Sequence, residues 1–326
     1  MALFPRWWLD DNARSRVLLP VSGLFRGVTA LRRSLYRQGL LRSHEISAPV
    51  LVVGNVFIGG TGKTPLVAWL AQRLSARGLR PGIVTRGYGG RADQWPQRVT
   101  AESDARLVGD EAVLLARRAQ CPVLAGPDRV GSARLLAGEC DLIISDDGLQ
   151  HYRLRRDAEI VVFDAARGAG NGRCLPAGPL REPLSRLAGA DLVVVNGGPL
   201  PRWPLSFRLR PLAWVNLRSG ERRAPDAFTG LAADAVAGIG NPARFFEQLR
   251  GLGIQADCRS FPDHHAYEAE DLPVDTGRRL LMTEKDAVKC AGLVGEQSWY
   301  LEVGAAPDAA AERALDELLR RLTADE

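Results

Sequence analysis

The chain has 326 residues, of which 46% are hydrophobic, enough for two α/β units that need no disulfide or metal to hold them together. Its five cysteines are scattered without a C-x-x-C pair, which argues against a disulfide framework or a zinc site and favours a reduced, cytosolic protein. The formal net charge is +5, but residues 1–42 hold this positive excess, so the pattern argues against a generally basic, nucleic-acid-binding protein.

Residues 1–42 form a predicted amphipathic arm in which arginines alternate with apolar side chains. The apolar positions at helical spacing are Val21, Leu24, Phe25, Val28, Leu31 and Leu35. The longest mainly apolar span, 17–31, is broken by Pro20 and Arg26, and it is shorter than the roughly 20 residues of a spanning helix. No signal-peptide cleavage site is expected. Two interpretations stay open: a helix packed on the protein's own core, or a helix lying on an anionic membrane surface.

An apolar run at 50–53 leads into a glycine-rich turn that ends in Gly-Lys-Thr-Pro, a pattern typical of a buried parallel strand followed by a phosphate-binding loop. Lys63 would reach the outer phosphates of a nucleotide, and Thr64 would offer its hydroxyl to Mg²⁺ at the start of a helix. The expected nucleotide-binding residues are Asn55, Gly59, Gly60, Thr61, Gly62, Lys63 and Thr64. The simpler alternative is a strand followed by a flexible turn, and it leaves Lys63 unexplained.

Phe57 is the one departure from the usual phosphate-loop pattern. It stands where the first glycine of G-x-x-x-x-G-K-[ST] is expected, so the pair Gly59-Gly60 would have to shape the loop instead.

Further short apolar runs alternate with helical or loop segments, which predicts a parallel sheet covered on both faces. The predicted strands are 83–85, 123–125, 142–145, 160–164 and 192–196, and a helix is predicted at 66–77. The alternating segment 205–217 predicts antiparallel strands, and the polar stretch after it indicates a boundary. A second series follows, with a strand at 235–239, a helix at 242–252 and a strand at 279–282.

Two acidic segments are candidates for metal binding and proton transfer. Asp146 and Asp147 end a buried strand, where carboxylates could hold Mg²⁺ across from the phosphate loop, although Asp-Asp-Gly is also a common turn. Asp110 and Glu111 open a predicted helix, where acidic residues are favoured by the helix dipole alone. The functional interpretation is that one takes the proton of an attacking hydroxyl while the other supports Mg²⁺.

The segment FPDHHAY, 261–267, places His264 and His265 side by side next to an aspartate. Adjacent side chains diverge, so the two histidines are not expected to share a metal. Either the segment is a surface turn, or one histidine orients a catalytic carboxylate. The segment MTEKDAVK, 282–289, holds Lys285 and Lys289, two of only three lysines in the chain, and is similar to loops that cradle a nucleotide base.

Taken together and in order, these segments resemble the tetraacyldisaccharide 4′-kinases, the lipid A kinases of Gram-negative bacteria. The resemblance rests on GNVFIGGTGKTP, TRGYGG, GDEA, SDDGLQH, FPDHH and MTEKDAVKC and extends over nearly the whole chain. It implies ATP- and Mg²⁺-dependent transfer of the γ-phosphate to the 4′-hydroxyl of a tetraacylated disaccharide 1-phosphate, a lipid A precursor, at the cytoplasmic face of the inner membrane. It also implies a peripheral enzyme that contacts the membrane through residues 1–42. We expect a monomer.

The resemblance further implies residue roles and an architecture. The catalytic set is Asp110, His264 and Lys63, and the metal set is Thr64, Glu111, Asp146 and Asp147. His264 is preferred over His265 because it directly follows Phe-x-Asp. The implied fold is α/β, a P-loop NTPase-like parallel sheet with a second, smaller α/β/α domain joined by a β hinge, plus an N-terminal amphipathic helix. The expected divisions are 1–42 for the arm, 43–204 for the kinase core, 205–225 for the hinge and 226–326 for the smaller domain.

Two rival functions stay open. A membrane-peripheral nucleotide switch, either GTPase-like or a partitioning-type ATPase, would also use the phosphate loop and the Thr-x-Lys-Asp string. It would not need Asp110 and His264. A soluble kinase of a small metabolite is the other rival, and the basic amphipathic arm does not favour it.

Overall fold

The computed structural model describes residues 5–273, 276–290 and 292–324, so the first four residues of the predicted arm and the last two of the chain lie outside the described part. There, thirteen strands form one sheet with helices on both faces. The strands are β1 (Val50–Gly54), β2 (Pro81–Thr85), β3 (Gln97–Val99), β4 (Val123–Ala125), β5 (Leu142–Asp146), β6 (Ala158–Asp164), β7 (Leu192–Asn196), β8 (Ser206–Asn216), β9 (Arg222–Arg223), β10 (Ala232–Ala237), β11 (Gln255–Ser260), β12 (Arg279–Thr283) and β13 (Ser298–Pro307). The α-helices are α1 (Ala13–Val17), α2 (Leu19–Arg37), α3 (Lys63–Ser75), α4 (Ala105–Val108), α5 (Asp110–Ala119), α6 (Arg129–Leu136), α7 (Pro242–Gly251), α8 (Glu284–Cys290) and α9 (Ala309–Thr323).

Strand β1 lies inside the core part of the sheet because its continuous apolar run can be buried on both faces. It pairs in parallel with β5 and β6. Leu51 and Val53 belong to a hydrophobic cluster with α3 and α5, whereas Val50 and Val52 belong to a second cluster with α6. Val53 lies opposite Asp146 in the register of β1 and β5. The phosphate loop and the acidic pair therefore follow neighbouring strands at the same edge of the sheet.

The C-terminal part of the sheet is joined to the core by β8 and β13. These two strands are antiparallel, and the sheet continues from β13 to β12, β10 and β11. A separate hydrophobic cluster around Trp214, Phe228 and Phe245 fills this part. The α/β fold class, with a mostly parallel sheet, is confirmed. The segment predicted as antiparallel strands at 205–217 is mainly one strand, β8, because its long antiparallel partner comes from 298–307, which local spacing cannot reveal.

Helix α9 returns to the core from the end of the C-terminal part. Leu315 and Leu319 lie in the same hydrophobic cluster as Leu70 of α3. Arg73 of α3 also forms an ion pair with Asp316, at 2.6 Å between Nη2 and Oδ2. The last helix of the chain therefore braces the helix that follows the phosphate loop.

Helix α2 is the predicted amphipathic helix, and it packs on the core through one side only. The Ser22 hydroxyl donates a hydrogen bond to the Cys174 carbonyl at 2.7 Å, and the Tyr36 and Tyr152 rings are 5.8 Å apart. The opposite side, which we name the apolar face of α2, consists of Val21 (52% exposed), Leu24 (69%), Val28 (58%) and Leu31 (60%). Among the described helices, none combines the length and hydropathy that a membrane crossing requires.

Candidate active site

The phosphate loop runs from the end of β1 to the start of α3 and is held by two asparagines. Asn55 Nδ2 donates to the Gly59 carbonyl and to Thr61 Oγ1, each at 3.2 Å. Asn196 Nδ2 donates to the Thr61 carbonyl at 3.1 Å. Gly62 adopts φ +85°, and a Cβ there would lie 2.5 Å from Asn196 Nδ2, so only glycine fits. These bonds fix the loop that leads into the first turn of α3, where the backbone N–H groups have no partner within the helix.

Phe57 takes a structural position next to this loop. Its side chain is 3% exposed, and its ring meets the Phe163 ring edge-on with centroids 5.1 Å apart. The positive φ of the early loop falls at Gly59, at +93°, whereas Gly60 has none. The missing first glycine is therefore replaced by an aromatic anchor and a turn at Gly59.

Lys63 and Asp147 join the phosphate loop to the acidic pair. Lys63 Nζ lies 3.3 Å from Asp147 Oδ1, and Arg181 lies 3.0 Å from Asp147 Oδ2. Burial acts to raise the pKa of Asp147, but the charges of Lys63 and Arg181 outweigh it and hold that pKa well below its usual value. Asp147 is therefore ionised at neutral pH and forms an ion pair with Lys63 at the end of the phosphate loop.

Asp146 has the properties of a metal ligand. Its Oδ2 accepts a hydrogen bond from Thr85 at 3.3 Å, while its buried Oδ1 has no hydrogen-bond partner among the described residues. Burial, and then the charge of Glu111, raise the pKa of Asp146 to about 7, against the opposing charge of Lys63. Half-buried Thr64 lies in the first turn of α3.

The described residues fit Mg²⁺ better than a metal that needs a full protein cage. No group of three or more His, Cys, Asp or Glu side chains suited to a metal occurs within residues 5–273, 276–290 and 292–324. Mg²⁺ commonly takes only one or two carboxylates and completes its shell with water and phosphate oxygens. The unpartnered Oδ1 of Asp146, beside the phosphate loop, could supply one such carboxylate ligand.

Asp110 and His264 meet although 154 residues separate them in the chain. His264 Nδ1 lies 3.1 Å from Asp110 Oδ2, and Asp110 is 5% exposed at the start of α5. Burial acts to raise the pKa of Asp110, but the bond from His264 and the charge of Lys285 hold it below its usual value. The bond to Asp110 raises the pKa of His264, against the effects of burial and Lys285. The arrangement is an ionised carboxylate with an imidazole oriented against it.

The neighbouring histidine has a different environment. His265 Nε2 lies 2.8 Å from Asp271 Oδ2, and its ring stacks on Phe261 with centroids 4.7 Å apart. The divergence of the two histidines follows from the backbone, because His264 adopts φ +59°. His264 is therefore the histidine that the structure brings to Asp110.

Sequence reasoning missed Lys285 as a member of this site. Its Nζ lies 3.0 Å from Glu111 Oε1, 3.2 Å from Asp263 Oδ1 and 3.4 Å from His264 Nε2. The chain has only three lysines, and this scarcity was the available signal. Glu111, a predicted metal ligand, is thus engaged by a lysine while its charge also acts on Asp146. Arg181, which contacts Asp147, was likewise missed.

An apolar cavity of about 540 Å³ opens beside the phosphate loop. Its lining comes from the N-terminal arm, the core and the C-terminal part, and includes Leu9, Phe57, Pro179, Ile239, Phe246 and Phe261. Gly240 also lines the cavity. A Cβ added to Gly240 would lie 3.6 Å from the Gly60 nitrogen and 3.3 Å from Asp263 Oδ2. The cavity, the loop and the segment that carries His264 therefore share one cleft.

Comparison with known proteins identifies close relatives along the whole chain. A family model described as Tetraacyldisaccharide-1-P 4'-kinase matches residues 14–320. A protein of Alkalilimnicola ehrlichii named tetraacyldisaccharide 4'-kinase is 52% identical over 325 residues, 99% of this chain and 98% of the relative. A protein of the same name from Halorhodospira halophila is 51% identical over 326 residues, with the same coverage. A crystal structure of LpxK from Aquifex aeolicus in complex with ATP is similar with a TM-score of 0.81 and 29% identity, covering 95% of this chain and 99% of that one.

Proposed function

Because the chain belongs to the tetraacyldisaccharide-1-P 4'-kinase family, we propose that it transfers the γ-phosphate of ATP to the 4′-hydroxyl of a tetraacyldisaccharide 1-phosphate, a lipid A precursor. The observation that carries the proposal is the contact of His264 with Asp110 in the cleft of the phosphate loop. A kinase needs a base there, whereas a nucleotide switch does not. The complex of the Aquifex aeolicus relative with ATP supports the choice of nucleotide.

The nucleotide and metal would be held by the core part of the chain. The backbone of the phosphate loop would bind the phosphates, and Lys63 would leave Asp147 to reach their outer oxygens. Thr64, Asp146 and Asp147 would hold Mg²⁺, with Glu111 as a further candidate. When bound, Mg²⁺ neutralises charge on the β- and γ-phosphates.

Asp110 would act as the base, with His264 holding it in place. The O–H bond of the 4′-hydroxyl breaks and its proton goes to Asp110. The oxygen forms a bond to the γ-phosphorus, whose bond to the bridging oxygen breaks, and ADP leaves. Phosphoryl transfer has a loose transition state, so orientation and charge neutralisation supply most of the catalysis. The lowered pKa of Asp110 keeps its carboxylate ionised at neutral pH.

The lipid acceptor would reach the cleft from the cytoplasmic face of the inner membrane. The apolar cavity suits an acyl chain, and its wall includes Leu9 of the N-terminal arm. The apolar face of α2 points away from the core, where a bilayer could cover it. These features fit a peripheral monomer that lies on the membrane through residues 1–42 and has no nucleic-acid partner.

A vesicle experiment tests the membrane contact. We expect Leu24→Ser/Leu31→Ser to weaken binding to anionic phospholipid vesicles by about tenfold or more, since each leucine loses buried apolar area. Leu107→Ser/Leu135→Ser removes two exposed leucines from α4 and α6 and serves as the matched control. Binding is measured by co-sedimentation. Equal binding of the two double variants would contradict the proposal.

Radiolabelled ATP separates the three candidate functions. The full-length protein is incubated with γ-labelled ATP, Mg²⁺ and a tetraacyldisaccharide 1-phosphate in mixed micelles, and products are resolved by thin-layer chromatography. We expect the label in the lipid. Label found only in free phosphate would indicate a nucleotide switch. Label in neither the lipid nor free phosphate would favour a small-metabolite kinase.

A further inference from the structure

Lys285 is a largely buried cation, next to the proposed base, that the transfer mechanism above does not use. It follows β12 at the start of α8, and its side chain is 16% exposed. Three carboxylates lie within 4.0 Å of its Nζ, those of Glu111, Asp263 and Asp110. Burial acts to lower the pKa of Lys285, but these carboxylates outweigh it and hold the pKa well above its usual value. Lys285 is therefore a fixed positive charge among acidic groups that would otherwise repel one another.

The partners of Lys285 belong to the two sides of the cleft. Glu111 is on α5 of the core, whereas Asp263 and His264 lie in the segment after β11 of the C-terminal part. Asp263 Oδ1 accepts a hydrogen bond from Lys285 Nζ at 3.2 Å and another from the backbone N–H of His264 at 3.1 Å. That second bond supports the φ of +59° at His264, which a non-glycine residue rarely adopts. A continuous series of contacts thus runs from α5 through Lys285 to the backbone of His264.

Lys285 also acts on the imidazole itself. Its Nζ lies 3.4 Å from His264 Nε2, and an ammonium group can only donate. A neutral His264 must therefore accept at Nε2 and carry its proton on Nδ1, which faces Asp110 Oδ2 at 3.1 Å. In the neutral imidazole, this contact favours the tautomer that can donate to the carboxylate.

We propose that Lys285 is a positioning residue of the phosphoryl transfer, which ties Glu111 to Asp263 across the cleft and thereby holds His264 against Asp110. The inference rests on the proposed kinase function. Lys289, one turn further along α8, offers a matched comparison, because it pairs with Asp286 of its own helix at 2.9 Å and donates to the Gly238 carbonyl.

The kinetic test compares Lys285→Met, Lys285→Arg and Lys289→Met in the full-length protein. We expect Lys285→Met to lower kcat on the order of 100-fold, as a misplaced catalytic group does, with KM for ATP changed less than about threefold. Lys285→Arg should recover at least about fivefold of the lost kcat, since it keeps the charge but not the geometry. Lys289→Met should keep kcat within about threefold of the wild type. Equal losses in the two methionine variants, or no recovery with arginine, would overturn the proposal.

A second measurement needs no turnover. Urea unfolding of the wild type, Glu111→Gln, Lys285→Met and the double variant, all in EDTA, forms a double-mutant cycle. We expect the two losses of stability to be clearly non-additive, because the side chains contact each other at 3.0 Å. Additive losses would contradict the proposed tie between Glu111 of α5 and Lys285 of α8. If the wild type failed to label lipid while the cycle still showed coupling, the kinase proposal would fail and the tie would stand.

Discussion

Asp110→Asn should lower kcat by about 10³-fold, because the amide keeps the size of the side chain but cannot accept the proton of the acceptor hydroxyl at neutral pH. The carboxylate is buried, and its pKa lies below the usual value, so the wild-type enzyme holds the base in its ionised form. The His264 contact remains possible to an amide oxygen, so the loss should fall on kcat rather than on KM. Lipid phosphorylation at saturating ATP and acceptor is the measurement.

Another Asp–His pair, Asp271 with His265, supplies the control. Asp271 and His265 lie 2.8 Å apart in the C-terminal part. Asp271→Asn should keep kcat within about threefold of the wild type, because this partly exposed pair contributes little energy and is not the pair assigned to proton transfer. If Asp110→Asn retained wild-type turnover, or if both variants lost it equally, the base assignment would be wrong.

Lys63→Met should lower kcat/KM for ATP by about 10³-fold, since it removes the cation that would neutralise the transferred phosphate. The fold should survive, because Asp147 keeps its contact with Arg181 at 3.0 Å. Lys63→Arg should restore only a small part of the activity, because a planar guanidinium does not reproduce a compact ammonium at this position.

Two measurements separate this loss from unfolding. Circular dichroism should give the same helical content for the wild type and Lys63→Met, and a steady-state series in ATP gives kcat/KM. A Lys63→Met protein with kcat/KM within tenfold of the wild type would contradict the assignment of Lys63 to the outer phosphates.

The core of the fold was predictable because its signals are local. The strand at 50–53 and the turn that ends in Lys63 are contiguous, and the structure has β1 and α3 there. The run 142–145 was likewise predicted as a strand that delivers Asp146 and Asp147, and β5 does so. Continuous apolar runs and glycine turns depend on nearest neighbours, which a sequence displays directly.

The composition of the site was less predictable because it depends on distant pairing. Asp110 and His264 could be named through a family resemblance, but neither spacing nor composition indicated that they meet. Lys285 was read as part of a possible base-binding loop, since its acidic partners are far away in the chain or, like Asp263, lie on another loop. The sequence also could not show which side of α2 packs on the core, because both sides of the helix carry apolar residues.

Strand β13 joins the two parts of the sheet. It lies between β12 and β8, and every other strand of the sheet precedes it in the chain. While a ribosome is still making residues 298–307, the edge of β8 is open and available to any other extended chain. We therefore expect a chain that stops before β13 to leave β8 and β12 without the strand that joins them, so that the Asp110 side and the His264 side of the site would not be held together.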